Sequence, residues 1–237
     1  MSTNIKDAAA GMQTVRAWDG PTRLFHWLLV ASVVAAYVTR HWGDAELRWH
    51  TWNGYAVLVL VVWRIMWGFV GSSTARFRAF FYWPWQAASY GIDFLLRRPR
   101  HFLGHNPLGG NVVFVLLGLV GAMGLLGLFA YDDHDANAGG PLASKVSDPV
   151  WALATKLHMQ LFDVLMIVIV LHVAANILYR FWKGENLVRA MITGHKPAQT
   201  YEDQQEAKLE GVGRALVCLV AAVLLVFGGI MTAGGKP

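Results

Sequence analysis

Five stretches of the chain, 22–39, 52–70, 111–131, 151–179 and 213–232, are nearly unbroken runs of apolar residues, and the segments between them hold most of the charge. Roughly 20 such residues cross the hydrocarbon of a bilayer as a helix, and in lipid a helix satisfies its own backbone. The pattern predicts an all-α integral membrane helix bundle of five spans, the fifth at the C-terminal end. The run at 151–179 exceeds a minimal span, so it is tilted or projects beyond the membrane. Between the second and third runs, Phe80-Phe81-Tyr82-Trp83-Pro84-Trp85 precedes Arg97, Arg98 and Arg100. Aromatic residues beside basic ones predict an amphipathic helix at the lipid surface. The most polar stretch, within 196–212, reads as a linker into the last helix.

Composition agrees: of 237 residues, 55% are hydrophobic and 15% charged, whereas soluble domains carry about a quarter charged residues. The net charge of +5 does not call for nucleic acid, because basic residues in a multi-span protein mark cytoplasmic loops. The tail with Arg23, the loop 72–110 and the segment 180–214 hold fourteen of the twenty lysines and arginines; the opposite side holds five, and Arg64 lies inside the second run. This bias predicts a cytoplasmic N-terminus and a periplasmic C-terminus in a bacterial inner membrane. Asp132, Asp133 and Asp135 then face outward. Tryptophans 42, 49, 52, 83, 85, 151 and 182 fall near span ends, as an aromatic belt does. The first seventeen residues lack an apolar core before a small-residue cleavage site, so the first span is read as the targeting signal. A single cysteine, Cys218, excludes an intrachain disulfide and a covalent Cys-x-x-Cys-His cofactor attachment.

Four of the nine histidines, His26, His50, His158 and His172, lie within or at the edges of the apolar runs. An imidazole in hydrocarbon is costly unless paired, which makes each one a functional candidate. Alternating chain direction puts His26 near the inner face and His50 near the outer one. His158 enters the fourth helix from outside, and His172 follows fourteen residues later, about 21 Å further in and nearly four whole turns on, hence on one helix face. The predicted axial pairs are His26 with His172 and His50 with His158. Two imidazoles on one iron give a six-coordinate b-type haem without an open position, which suits electron transfer. A lone histidine of this kind is better explained as an interfacial or hydrogen-bonded core residue; the joint pattern of four favours ligation. Zinc is the weaker alternative, since the pairs are too far apart for one tetrahedral centre. His41, His101, His105, His134 and His195 lie in loops or at interfaces and read as solvated.

Arg64, fourteen residues after His50, shares its face near the inner level, where it either pairs with a haem propionate or snorkels to the interface. Arg16 and Arg23 are further inner candidates, Arg48 and Lys156 outer ones. Asp163 in the fourth helix either accepts a hydrogen bond or is solvated. Gly118, Gly121, Gly124 and Gly127 form a stripe on the third span that admits a flat macrocycle or another helix alike, and Gly54 carries the same ambiguity. No nucleotide-binding glycine loop is present.

The stretch Trp18-Asp19-Gly20-Pro21-Thr22-Arg23-Leu24-Phe25-His26-Trp27 closely resembles the opening of the bacterial cytochrome b561 family, which includes the b-type cytochrome subunits of nickel-iron hydrogenases. The likeness continues through Trp49-His50, Arg64-x-x-Trp67-Gly68, the run from His105 to Gly110 and the run from Gly184 to Gly194. The last two look like the branch whose members partner small dihaem cytochromes c. The resemblance implies a domain over 18–195, following a tail at 1–17, that holds two b haems, one toward each membrane face. Its ligands match His26, His50, His158 and His172; the helix at 213–232 falls outside the four-helix core.

The expected function is transmembrane electron transfer through two bis-histidine haems b, between a periplasmic redox partner such as a c-type cytochrome and the quinone pool, ubiquinone or menaquinone. Alternatives are a superoxide:quinone oxidoreductase, a hydrogenase cytochrome subunit or, in another class, a non-redox membrane transporter or anchor. The chain is expected to act as an electron-transfer cytochrome b, either as a quinone oxidoreductase or as a subunit of one.

Overall fold

The computed structural model describes residues 13–42, 48–98, 100–131 and 139–237, without the side chains of residues 41 and 42. The side chains of His41 and Trp42, together with His134, Asp132, Asp133 and Asp135, lie outside the described residues. Each apolar run forms one helix: α1 (Gly20–Trp42), α2 (Arg48–Val70), α4 (Pro107–Gly127), α5 (Asp148–Lys183) and α7 (Val212–Thr232). All five are long and apolar enough to cross a membrane. Local chemistry sets their ends. The carboxylate of Asp19 accepts the amide of Thr22 at 2.5 Å, and Asn106 accepts the amide of Gly109 at 2.8 Å ahead of Pro107, so both occupy the position where a short polar acceptor satisfies an open helix donor. Gly184 and Gly194 end α5 and α6 (Leu187–Thr193) with φ of +72° and +84°, a conformation glycine adopts without steric penalty.

The centre of the bundle is α2, which packs against α1, α4 and α7, while α5 packs on α4. About half of α2 is buried, against 6% of α1 and α5. The rows of exposed leucine, isoleucine and valine on those two helices are what a lipid-facing surface requires. The fifth span is integral to the packing: Ala215, Cys218 and Ala222 are buried against Val59, Trp63 and Trp67, and the Trp63 indole donates to the carbonyl of Ala215 at 3.0 Å. Small residues at this spacing let two helices approach closely.

A folded cap covers one end. At 36 residues, α5 is about 54 Å long, and its final turns leave the bundle to meet α3 (Pro84–Leu95), the helix expected from the aromatic run. The hydroxyls of Tyr90 and Tyr179 lie 2.5 Å apart, and Asn106 donates to Tyr179 at 2.9 Å. Trp83 and Trp85 stay largely exposed. The chain is also not wholly helical. β1 (Thr14–Arg16) pairs antiparallel with β2 (His195–Pro197), Val15 opposite Lys196, a short ladder that local sequence patterning does not reveal. Residues 198–210 lie across this cap as a fastened strap. Asp203 accepts the amides of Leu103 and Gly104, Arg76 pairs with Glu210 at 2.8 Å, Arg100 pairs with Glu202, and Tyr201 is buried beside Trp18 and Leu103. The tail from residue 13, the loop 72–110 and the segment 180–214 thus meet at the same end of the bundle.

Candidate cofactor sites at two levels of the bundle

At the end away from the cap, α1, α2, α4 and α5 enclose a cavity of about 1140 Å³. Tyr37 and Phe162, with ring centres 6.1 Å apart, close the gap between α1 and α5. His50 and His158 line the cavity, their ring centres 6.1 Å apart and their planes 81° apart. The Nδ1 of His50 donates to the carbonyl of Ala36 at 3.1 Å, and that of His158 to the carbonyl of Met123 at 2.9 Å. A carbonyl only accepts, so both protons sit on Nδ1 and both lone pairs on Nε2, the state a metal-binding imidazole needs. Two imidazoles bound to one metal from opposite sides at about 2 Å place their ring centres about 6 Å apart. The residues present therefore fit a bound metal group such as haem, which the Nε2 atoms of His50 and His158 would hold.

The glycine stripe has split roles. An added Cβ at Gly118 would meet nothing within 4 Å; at Gly121 it would make an ordinary contact with Val61 of α2 at 3.4 Å; at Gly124 it would press on Leu58 of α2 at 2.7 Å; at Gly127 it would lie 3.2 Å from His158. Gly54, Gly124 and Gly127 form part of the cavity wall. Two basic residues, Arg40 and Lys156, line it too. Lys156 was anticipated and Arg40 was not, although it continues the cavity-facing series Val33, Ala36 and Tyr37. Arg48 instead lies over Trp49, 5.4 Å from the ring, and does not line the cavity. Asp163 does.

The second level lies against the cap. It gathers His26 of α1, His172 of α5, Arg64 of α2 and, unexpectedly, His105. The reading of His105 as solvated is overturned: its Nδ1 is buried without a hydrogen-bond partner among the described residues, and its ring packs on Trp18 and Phe80. Burial first, then the charges of Arg64 and Lys196, then His172 and His26, push its pKa down to about 3, which favours the neutral ring. The position just before a helix N-cap commonly packs under the first turn, a signal outweighed by the polar look of the loop. His101 is likewise tied down, with Nδ1 2.6 Å from Glu185, and His195 bonds the carbonyl of Thr193. Asn176 donates to the carbonyl of His172 at 2.7 Å and lies 3.3 Å from its Nε2.

Arg64 is 3% exposed. Its Nη2 donates to Ala75 at 3.1 Å, its Nη1 has no partner among the described residues, and its guanidinium lies over Phe77. Gly68, one turn on, is where that ring passes, since a Cβ there would overlap it. Trp67 donates to Asp19 and Thr22. The motif Arg64-x-x-Trp67-Gly68 is therefore one packed unit on the start of α1. Arg23 bonds the carbonyl of Ile192, with its Nε buried and unpartnered among the described residues, while Arg16 lies in β1. His26 Nδ1 is also buried without a partner among the described residues. Each orphaned nitrogen costs roughly 1–3 kcal/mol, and four at one level fit a site for an acceptor-rich group such as a haem with its carboxylates.

Comparison with known proteins identifies a family. Residues 17–194 match the family described as prokaryotic cytochrome b561. A probable Ni/Fe-hydrogenase B-type cytochrome subunit of Rhizobium leguminosarum bv. viciae is 23% identical over 234 residues, covering 83% of this chain and 95% of the relative. Its namesake in Bradyrhizobium diazoefficiens is 29% identical over 46% of this chain and 53% of its own length. The probable Ni/Fe-hydrogenase 1 B-type cytochrome subunit of Escherichia coli K12 is 27% identical over 51% and 62%. For the last two, the matched part spans little more than half of the relative. With most of its length matched, the chain belongs to the prokaryotic cytochrome b561 family, a multi-pass membrane cytochrome that implies haem b and electron transfer.

Proposed function

We propose that the chain holds two non-covalent haems b, one between His50 and His158 and one between His26 and His172, and conducts electrons across the bacterial cytoplasmic membrane between a periplasmic redox partner, such as a c-type cytochrome, and the quinone pool. The observation that carries this reading is the far-end pair: two imidazoles across one large cavity, each with Nδ1 committed to a backbone carbonyl. Haem, when bound, supplies a reversible one-electron couple.

The chain's own groups prepare that chemistry. Ala36 and Met123 fix the imidazole tautomers through their carbonyls, the glycines keep the wall flat, and Arg40 and Lys156 offer cations for carboxylates at the far level. Arg64 and Arg23 do so at the cap level. Fourteen residues of α5 hold His158 and His172 about 21 Å apart, so one rigid helix sets the spacing of the two centres. The cap is the cytoplasmic end, because it gathers the segments richest in lysine and arginine; the N-terminus is then cytoplasmic and the C-terminus periplasmic. The names of the relatives favour a second reading, in which the electron source is a hydrogenase partner.

A reduced-minus-oxidised spectrum and a haem-to-protein ratio on purified protein test the proposal. A low-spin b signal at two haems per chain is expected, and a ratio near one overturns it.

A further inference from the structure

His105 is a half-buried histidine, its Nδ1 sealed from solvent, that the four-ligand scheme leaves without a task. Its ring lies 4.8 Å from that of Trp18 and 4.5 Å from that of Phe80, centre to centre, and its Nδ1 has no partner among the described residues. The guanidinium of Arg64 lies against the same Phe80 ring, at 5.8 Å, with Nη1 equally buried and unpartnered. Two idle nitrogens beside one phenylalanine call for a shared acceptor. A carboxylate, with two oxygens, matches a neutral N–H together with a guanidinium.

The surroundings are cationic. Lys196 is also buried there, with Nζ on the carbonyl of Phe102 at 2.8 Å. Asp19, a buried carboxylate at this end, is already occupied by the Thr22 amide and the Trp67 indole. Glu185 and Asp203 offset part of the charge of Lys196, whereas among the described residues nothing bonds Arg64 Nη1, and buried charge is stable only when paired.

We propose that His105 is a positioning residue that, together with Arg64, grips a carboxylate of the cap-side haem and raises that haem's reduction potential. The proposal rests on the two-haem reading above. A hydrogen bond and a positive charge at the carboxylate offset its negative charge, which otherwise favours the ferric state.

The test is a potentiometric titration of the purified, haem-loaded full chain in detergent, with the cap-side couple identified as the one lost in His172→Ala. His105→Phe should shift that couple at least tenfold toward the oxidised form, about 59 mV lower for one electron, and move the far-end couple less. His105→Gln, which keeps an N–H donor, should restore most of the shift. In protein loaded with haem dimethyl ester, whose carboxylates are masked, His105→Phe should leave the potential unmoved; a merely structural effect would act on both loadings alike. If His105→Phe does not accumulate as folded protein, His105→Ala carries the same comparison without added bulk. Two couples in the wild type with neither moved, or equal shifts with haem and its ester, overturn the proposal alone. Loss of a low-spin signal in His105→Phe, with the signals of His26→Ala and His172→Ala intact, makes His105 an axial ligand and also overturns it. A single couple in the wild type overturns the two-haem reading and this proposal with it.

Discussion

Alanine at Gly118 and at Gly127 makes the same chemical change on the same glycine stripe of α4, and the two substitutions should have opposite outcomes. At Gly118 the added methyl meets nothing within 4 Å, so Gly118→Ala should stabilise the helix by about 0.5–1 kcal/mol, the usual gain over glycine in a helix interior. At Gly127 the methyl lies 3.2 Å from Cε1 and 3.4 Å from Nδ1 of His158. The ring must retreat by a few tenths of an ångström, and overpacking of this kind costs about 1–3 kcal/mol. Helix propensity returns little there, because Gly127 is the last residue of α4. The retreat also loads the 2.9 Å bond that holds His158 on Met123. Gly127→Ala should lower the melting temperature in detergent and weaken retention of the far-end haem, while the cap-side haem keeps its wild-type occupancy. Haem content, and the bands resolved against His158→Ala and His172→Ala, read out both. If the two alanine variants hold haem equally, the ring at His158 is not fixed by the α4 surface and the argument fails.

His50→Ala and His158→Ala should each remove the same haem, and His26→Ala and His172→Ala the other; a spectrum in which His50→Ala and His172→Ala lose the same band would refute the pairing. Burial pushes the Lys196 ammonium down to about 8, against partial support from Glu185 and Asp203. Between pH 8 and its ordinary value near 10.5, the unfolded chain binds more protons than the folded one at this site, so the site adds stability as pH rises through that window. Lys196→Met should therefore raise the melting temperature most below pH 8, with the advantage shrinking toward pH 10.5; an advantage that grows with pH would contradict the assignment. Tyr179→Phe strips a partner from both Tyr90 and Asn106 and should destabilise the docking of α3 by about 1–3 kcal/mol, seen as faster amide exchange in α3 with α2 unchanged.

The bilayer made the spans readable. Lipid tolerates few ways of satisfying a backbone, so an apolar run of the right length leaves little choice, and the chain direction it imposes sorts the histidines by level. Outside the membrane that constraint lapses. β1 and β2 are three residues each and pair across nearly the whole family domain, so neither carries a period of its own. Residues 198–210 look like a linker because they are polar; their carboxylates bind backbone amides of the loop 72–110, a relation invisible in local composition. His105 was misjudged for the same reason, since its neighbours in sequence are polar while its neighbours in space are Trp18 and Phe80. Arg40 shows the converse: helical phase alone set it on the cavity wall, and only the geometry of α1 against α5 showed that the wall existed.

The pairing of β1 with β2 bears on the order in which the molecule is made. β1 leaves the ribosome first, yet its partner follows α5 and α6, so the ladder cannot close until four spans have been threaded into the bilayer. Until then Trp18 lacks the carbonyl of Gly194 that later holds its amide, and the cap-side histidines lie under an unsealed lid. Closure of three residue pairs thus ties the start of the family domain to its end only after the fourth span, and leaves the strap and α7 as the parts of the chain still to be added.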